Sequence, residues 1–330
     1  MLFGLIFAFL GGVLLLWKGA DFLVAGSSVL ARRFGIPPLV IGLTIVALGT
    51  SLPELVVSLF AAIQHSSDLL IGNIVGSNIS NILLILGATA VIAPLAVQSS
   101  TIWKEIPFSF FAVVVLGVQA NDIFFRDGSA NIIGRGNGLI LLVFFVLYLY
   151  YVFALTKQYR ADERIKDVKA DLKESRFEPL WKLLLKIGGG FLLLIVGGRA
   201  VVFGGGEFAR LLGVSEAVIG LTMVAIGTSL PELATSVAAA LRKEADIAVG
   251  NIVGSNIFNI FFVLGVSAAV QPLAFPVFMN NDVLFLILAT LILFVATLLM
   301  GRKLVITRGN GVGFLVVYVC YVAFVYLRKF

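Results

Sequence analysis

The sequence predicts an all-α integral membrane protein of ten transmembrane helices, arranged as two inverted five-helix repeats. Three observations carry that prediction. First, 60% of the 330 residues are hydrophobic and only 13% are charged, with a mean hydropathy of +1.09, whereas a soluble domain carries about a quarter charged residues. Second, ten runs are long and apolar enough to cross a hydrocarbon core of about 30 Å as helices. Third, residues 42–87 return as residues 220–265, with 28 of 46 positions identical in a gapless alignment, which marks an internal repeat.

In chain order the runs are 2–30, 38–63, 70–93, 106–120, 138–155, 183–211, 217–241, 247–270, 283–300 and 311–325. The first, MLFGLIFAFLGGVLLLW, lacks the basic start and small-residue cleavage site of a signal peptide and is read as a span. The repeated stretch fills spans two and three, then seven and eight. Five spans separate each element from its copy, and five is odd, so the copies cross the membrane in opposite senses, an arrangement recurrent in secondary transporters. A weaker echo, GADFLVAGSSVLARRFGIPPLVIG from Gly19 against GRAVVFGGGEFARLLGVSEAVIG from Gly198, brings spans one and six into the repeat. The chain therefore divides into a first half, 1–155, carrying the repeat 42–87; a charged connector, 156–182; and a second half, 183–330, carrying the repeat 220–265. Lys18, Asp21, Arg199 and Glu207 lie inside spans one and six, where pairing with other side chains or snorkelling to the interface accounts for them.

Basic residues set the orientation. Arg32, Arg33, Lys104, Arg242, Lys243, Arg302, Lys303, Arg308 and the segment 157–182 fall on one side, which is read as cytoplasmic. His65, Asp68, Asp122, Arg126, Asp127, Arg135, Arg210 and Asp282 fall on the other, so both termini are expected outside a cell membrane, with Arg328 and Lys329 a minor exception. The net charge of +6 is spread over loops facing anionic lipid and forms no nucleic-acid patch. Cys320 is the single cysteine, which excludes an intrachain disulfide and a thiol metal site. The mixed charges of the connector suit a solvated surface segment too short for a regulatory domain. No obligatory protein partner and no cofactor are evident.

The repeat carries unusual chemistry for an apolar segment. GTSLPEL, at Gly49 to Leu55 and Gly227 to Leu233, puts hydroxyls, a proline and a carboxylate at membrane depth. An ionised glutamate there costs several kcal/mol unless it is paired or faces a polar cavity. Proline removes a backbone donor and crowds the carbonyl four residues earlier, so each copy is expected to kink or unwind, freeing oxygens that are tolerated where they line a cavity. A purely structural account also exists, because Ser51-x-x-Glu54 and Ser229-x-x-Glu232 fit a capping box; it leaves unexplained why an ionisable group stands in apolar surroundings twice. Further on, GNIVGSNIxN places Asn73, Ser77 and Asn81 on one helical stripe and Asn251, Ser255 and Asn259 on its mate. Interhelical hydrogen bonding is the plainer reading of that stripe, and the GxxxG faces Gly72/Gly76 and Gly250/Gly254 would let another helix approach. Together the copies supply hydroxyl, amide, backbone and carboxylate oxygens with no cysteine or histidine. That donor set suits hard cations such as Ca²⁺ and Na⁺ and disfavours zinc or copper.

The paired GTSLPE and GNxxGSNIxN motifs resemble the alpha repeats of the cation/calcium exchanger superfamily, in particular the sodium/calcium exchanger branch and its compact prokaryotic members. The resemblance covers the whole ten-span layout. It implies an antiporter that extrudes Ca²⁺ against entering Na⁺, with the two ions competing for central sites and the first and sixth helices sliding over a fixed core. Carried over by position, it implies Glu54 and Glu232 as the main Ca²⁺ ligands, backbone carbonyls from Thr50 and Thr228, and Ala47, Ser51, Ser77, Ala225, Ser229 and Ser255 at flanking Na⁺ sites. Asn81 and Asn259 would complete the centre. Some relatives, potassium-dependent exchangers among them, carry Asp where this chain has Asn259, which argues against K⁺ co-transport. The proton-coupled branch usually has GNxxE where this chain has GTSLPE, so the hydroxyls favour Na⁺. The alternatives are a Ca²⁺/H⁺ antiporter and an exchanger of Mg²⁺, Mn²⁺ or a monovalent cation. An intramembrane hydrolase is disfavoured, since the sole His65 is expected in a solvated loop and no GxGD aspartate pair appears; a channel is disfavoured by the inverted halves.

Overall fold

The computed structural model describes residues 2–121, 131–161, 178–211, 216–299 and 304–328, with backbone alone for 2, 158–161, 208–210 and 216–226. The helices are α1 (Leu2–Phe34), α2 (Pro38–Thr50), α3 (Leu52–Ile63), α4 (Ser67–Ile92), α5 (Thr101–Gln119), α6 (Arg135–Ala161), α7 (Leu180–Leu211), α8 (Glu216–Leu241), α9 (Ala245–Val270), α10 (Asn280–Leu298) and α11 (Arg308–Leu327). Among the described residues eight continuous helices are long and apolar enough to cross a membrane, and the broken pair α2–α3 adds a ninth. Helix α8, over the expected run 217–241, is the tenth. The chain is an all-α, ten-span membrane protein. Most of the connector 156–182 and the loop charges Asp122, Arg126, Asp127, Arg302 and Lys303 lie outside the described residues, as does Lys329.

The two copies differ at the proline: the first unwinds, α2 ending at Ser51 with φ −83° and ψ 5°, whereas α8 runs on through Pro231. Losing one backbone donor can be met by breaking the helix or by carrying it on with one bond fewer, and the two copies differ in which they do. One local expectation needs correction: Gly76 does not serve a close helix contact, since a Cβ there would meet nothing within 4 Å among the described residues. Gly250 does, its Cβ position lying 2.8 Å from the Leu39 carbonyl oxygen.

The chain packs as two compact units. The first comprises Met1–Pro53 and Leu149–Asn251. Within it α1 and α7 touch backbone to backbone: a Cβ on Gly12 would lie 2.8 Å from the Gly197 carbonyl oxygen, and one on Gly19 the same distance from that of Gly190, with both relations reciprocal. The partner number falls as the position rises, so the two helices run antiparallel. At one end of the unit Arg242 holds Asp21, Arg32 Nη1 reaches Glu244 Oε1 at 3.3 Å, Arg33 donates to the Glu178 carbonyl at 2.7 Å, and Lys186 pairs with Glu178. Asp21, one of the charges inside span one, is therefore paired.

The second unit comprises Glu54–Tyr148 and Ile252–Phe330. Two short antiparallel ribbons clip its loops: β1 (Leu95–Ala96) on β4 (Val305–Ile306), and β2 (Ile132–Ile133) on β3 (Leu273–Ala274). Each ribbon joins the end of a third-span helix to the loop before a fifth-span helix of the other repeat, so the repeat symmetry extends to the loops. Rings of Phe108, Phe111, Phe144 and Phe261 fill the space between α5, α6 and α9, with Phe144 stacked on Phe261 at 5.6 Å. Asp282, 4% exposed, accepts from the Tyr321 hydroxyl at 3.1 Å and from Arg328 Nη2 at 2.9 Å.

In each unit the loops that meet are loops that ten spans put on the same side. Arg32 with Glu244 and β1 with β4 join one set; His65 with Gln271, Asn121 with Asn280 and β2 with β3 join the other. His65 is exposed, as expected for a loop histidine, and has φ 57°; Lys243, its counterpart in the second repeat, has φ 62°. In both, the following amide reaches back five residues, Ser66 N to Ala61 O at 2.8 Å and Glu244 N to Ala239 O at 2.9 Å, closing the helix by a left-handed cap.

Candidate functional site

The motif residues form one polar cluster in each unit, and each cluster draws on both repeats. In the first unit Glu232, 1% exposed, accepts from Ser51 Oγ at 3.3 Å. Asn251 on α9 donates to Ser236 Oγ at 3.0 Å and to the Glu232 carbonyl at 3.5 Å. Its own Oδ1 accepts from Thr50 Oγ1 at 3.0 Å. The Thr50 hydroxyl also lies 3.1 Å from the Val46 carbonyl oxygen, so it is engaged inside the protein. Thr228 and Ser229 are buried one helical turn before Glu232, and Ser229 Oγ has no hydrogen-bond partner among the described residues. Ala47 is fully buried in α2; Ala225 falls in α8, and its side chain lies outside the described residues.

These contacts dispose of the capping box. Ser51 gives its hydroxyl to the glutamate of the other repeat, and the Ser51 amide bonds to the Ala47 carbonyl at 3.0 Å. Ser229 lies inside continuous α8, and its hydroxyl caps no helix end among the described residues. The backbone just before Thr50 is also closely covered, since a Cβ on Gly49 would fall 1.7 Å from the Phe191 ring, and one on Gly227 would fall 2.3 Å from Val202 Cγ2.

In the second unit Asn73 repeats the role of Asn251, donating to Ser58 Oγ at 3.1 Å and to the Glu54 carbonyl at 3.4 Å. Glu54 is 1% exposed, and Ser77 and Ser255 are fully buried. Asn81 donates to Asn256 Oδ1 at 3.0 Å and Asn259 donates to Asn78 Oδ1 at 3.1 Å. Interhelical hydrogen bonding, the plainer expectation for the asparagine stripe, is thus present. It leaves a remainder: Ser77 Oγ, Asn81 Oδ1 and Asn259 Oδ1 are buried with no hydrogen-bond partner among the described residues. Native proteins rarely leave such atoms unsatisfied, at a cost of about 1–3 kcal/mol each, unless a ligand or water meets them.

Asn81 and Asn259 each stand second in a π-helical stretch, Ser80–Ile85 in α4 and Phe258–Leu264 in α9. Such bulges widen one turn and re-aim side chains, and they gather at functional sites. Sequence reasoning missed Asn78 and Asn256 because regular spacing of four leaves them off the Asn73/Ser77/Asn81 stripe. The available signal was their identity in both copies of GSN.

The chemistry offered is oxygen throughout. Among the described residues no group of three or more His, Cys, Asp or Glu could hold a metal; the polar groups that the two copies of the motif bury are hydroxyls, side-chain amides and the carboxylates of Glu54 and Glu232. Such donors suit Na⁺ or Ca²⁺ and not thiophilic metals.

Comparison with known proteins shows the family. The family model described as sodium/calcium exchanger protein matches residues 4–154 and 182–327, leaving out the charged connector. The inner membrane protein YrbG of Escherichia coli (strain K12) is 42% identical over 264 residues, covering 79% of this chain and 78% of that protein. The sodium/calcium exchanger MaX1 of Methanosarcina acetivorans is 32% identical over 337 residues, covering 94% and 95%. A solved structure of the sodium-calcium exchanger NCX_Mj, soaked with zero Na⁺ and Ca²⁺, superposes with a TM-score of 0.79 at 32% identity, covering 98% of this chain and all of that one. With its ten spans and both copies of the repeat inside the matched regions, this chain belongs to the sodium/calcium exchanger family.

Proposed function

We propose that this protein, a multi-pass cation antiporter by its family, exchanges Na⁺ for Ca²⁺ across the cell membrane by alternating access, the two ions competing for shared oxygen ligands. The observation that carries this reading is the set of buried oxygens with no hydrogen-bond partner among the described residues, Ser77 Oγ, Asn81 Oδ1, Asn259 Oδ1 and Ser229 Oγ, in a motif that also buries two carboxylates. Glu54 and Glu232 would be the main Ca²⁺ ligands, Thr50 and Thr228 would offer backbone carbonyls, and Ala47, Ser51, Ser77, Ala225, Ser229 and Ser255 would serve flanking Na⁺ sites, with Asn81 and Asn259 at the centre. The engaged Thr50 hydroxyl supports a backbone role for that residue.

Coupling follows from charge. A bare buried carboxylate carries a desolvation penalty of several kcal/mol, so conformations that exclude water are accessible when one Ca²⁺ or several Na⁺ compensate Glu54 and Glu232. Ions that compensate the same groups exclude one another, and exchange results. Halves 1–155 and 183–330 would be the two repeat units joined by a cytoplasmic connector, with both termini on the outer side.

The test is ⁴⁵Ca²⁺ uptake into proteoliposomes loaded with Na⁺, beside controls with equal Na⁺ on both sides and with an imposed pH gradient. Uptake that requires the Na⁺ gradient and is lost in Glu232→Gln is the expected result. Uptake driven by the pH gradient alone would replace Na⁺ by H⁺ as the coupling ion.

A further inference from the structure

Two asparagines outside the ligand set hold the two central ones, and they do so crosswise. Asn81 Nδ2 donates to Asn256 Oδ1 at 3.0 Å, and Asn259 Nδ2 donates to Asn78 Oδ1 at 3.1 Å. Asn78 Nδ2 in turn reaches the Asn256 carbonyl at 3.4 Å. The first repeat thus orients the centre of the second, and the second orients the centre of the first. All four side chains are at most 2% exposed.

An amide has a donor end and an acceptor end. With the donor ends of Asn81 and Asn259 committed, the acceptor ends remain, and these are two of the oxygens with no partner among the described residues. Turning either amide over would set oxygen against oxygen at Asn256 or Asn78 and aim N–H groups where the oxygen now points, an arrangement hostile to a cation.

We infer that Asn78 and Asn256 are positioning residues for the transported cation, locking the Asn81 and Asn259 amides with their oxygens toward the ion and keeping both ligands neutral. The inference rests on the reading of Asn81 and Asn259 as cation ligands. Neutrality follows from the same bonds: an ionised aspartate at position 81 or 259 has no hydrogen to give and would face the acceptor oxygen of Asn256 or Asn78.

Leucine in place of Asn256 removes the acceptor at similar volume, and aspartate retains it. Initial uptake by the reconstituted full chain is measured against cation concentration under whichever gradient drives the wild type. Asn256→Leu should raise the half-saturating concentration about tenfold with the maximal rate held within about twofold, the scale of one lost buried hydrogen bond. Asn256→Asp should stay within about threefold of wild type, and Asn78→Leu and Asn78→Asp should behave in the same way. In an Asn81→Ala background Asn256→Leu should add less than about twofold, because Asn256 acts through Asn81. If Asn256→Leu fails to accumulate, Asn256→Ala removes the same acceptor. The cation-induced rise in unfolding temperature of the purified protein repeats each comparison without transport. Unchanged half-saturation in the leucine variants, equal damage from aspartate, or full additivity in the Asn81→Ala background would overturn the inference. A wild type that uses H⁺ in place of Na⁺, or carries another cation, would overturn the proposed exchange and leave the inference to stand or fall on these variants.

Discussion

The partners of Glu232 include a serine hydroxyl from the other repeat and an asparagine that ties its carbonyl to Ser236. Glutamine preserves its shape and removes its charge. Under the proposed exchange, Glu232→Gln should therefore lower Na⁺-driven Ca²⁺ uptake at least about 100-fold, since a proposed charge-assisted ligand is lost, while unfolding in detergent without Ca²⁺ changes by less than about 1 kcal/mol because a buried charge has been removed as well. Equal losses of folded protein and of uptake would show that the residue is structural. Asp282 presents the opposite case. Its carboxylate is the shared acceptor for Arg328 and Tyr321, and Asp282→Ala takes that acceptor from a mostly buried guanidinium. That variant should lose about 3 kcal/mol of stability, read as a lower unfolding temperature, with ion selectivity unchanged in the surviving protein.

Helices impose their own constraints. Proline splits the span of the first copy at Ser51 and leaves α8 continuous through Pro231, so identical GTSLPEL segments adopt different backbones. The glycine before each hydroxyl pair is needed for what lies against it: Phe191 occupies the space a side chain on Gly49 would fill. Gly49→Ala forces the ring away, an overpacking cost of about 1–3 kcal/mol, and should cut the maximal uptake rate. Phe191→Ala in the same chain should restore much of it, and absence of that rescue would place the fault in the backbone instead of the ring. The α1–α7 contact is less forgiving, because Gly19 meets the Gly190 backbone, which has no rotamer to change. Gly19→Leu should destabilise the first unit with no compensating substitution on α7.

For the molecule as a whole, cation binding and stability are linked. A ligand that binds only the folded state at 100 times its dissociation constant adds about 2.7 kcal/mol. Ca²⁺ should raise the unfolding temperature of the purified protein, Na⁺ should reduce that rise by competition, and Glu54→Gln should remove it. The same-side pairing of loops gives a second whole-molecule prediction. In a Cys320→Ala background, single cysteines at Asp68 and Gln271 should react with an impermeant thiol reagent from one side of the membrane, and cysteines at Glu244 and Arg308 from the other. Labelling of Asp68 and Glu244 positions from a common side would refute the ten-span count.

Much of this was legible in the residues because membranes leave few choices. Apolar runs must become helices, since a backbone in hydrocarbon has to satisfy its own hydrogen bonds, and an odd offset between repeat copies dictates inversion. The donor types that the motif offers could likewise be read from composition, because residue type decides which metals a site would suit. Tertiary structure decided what depends on neighbours: which proline breaks its helix, that Ser51 serves Glu232 and does not cap its own helix, and that Asn78 and Asn256 hold the central amides. Those facts turn on bulges and on partners about 175 to 181 residues away in sequence. Spacing along one helix carries no information about which end of an amide a distant residue will hold.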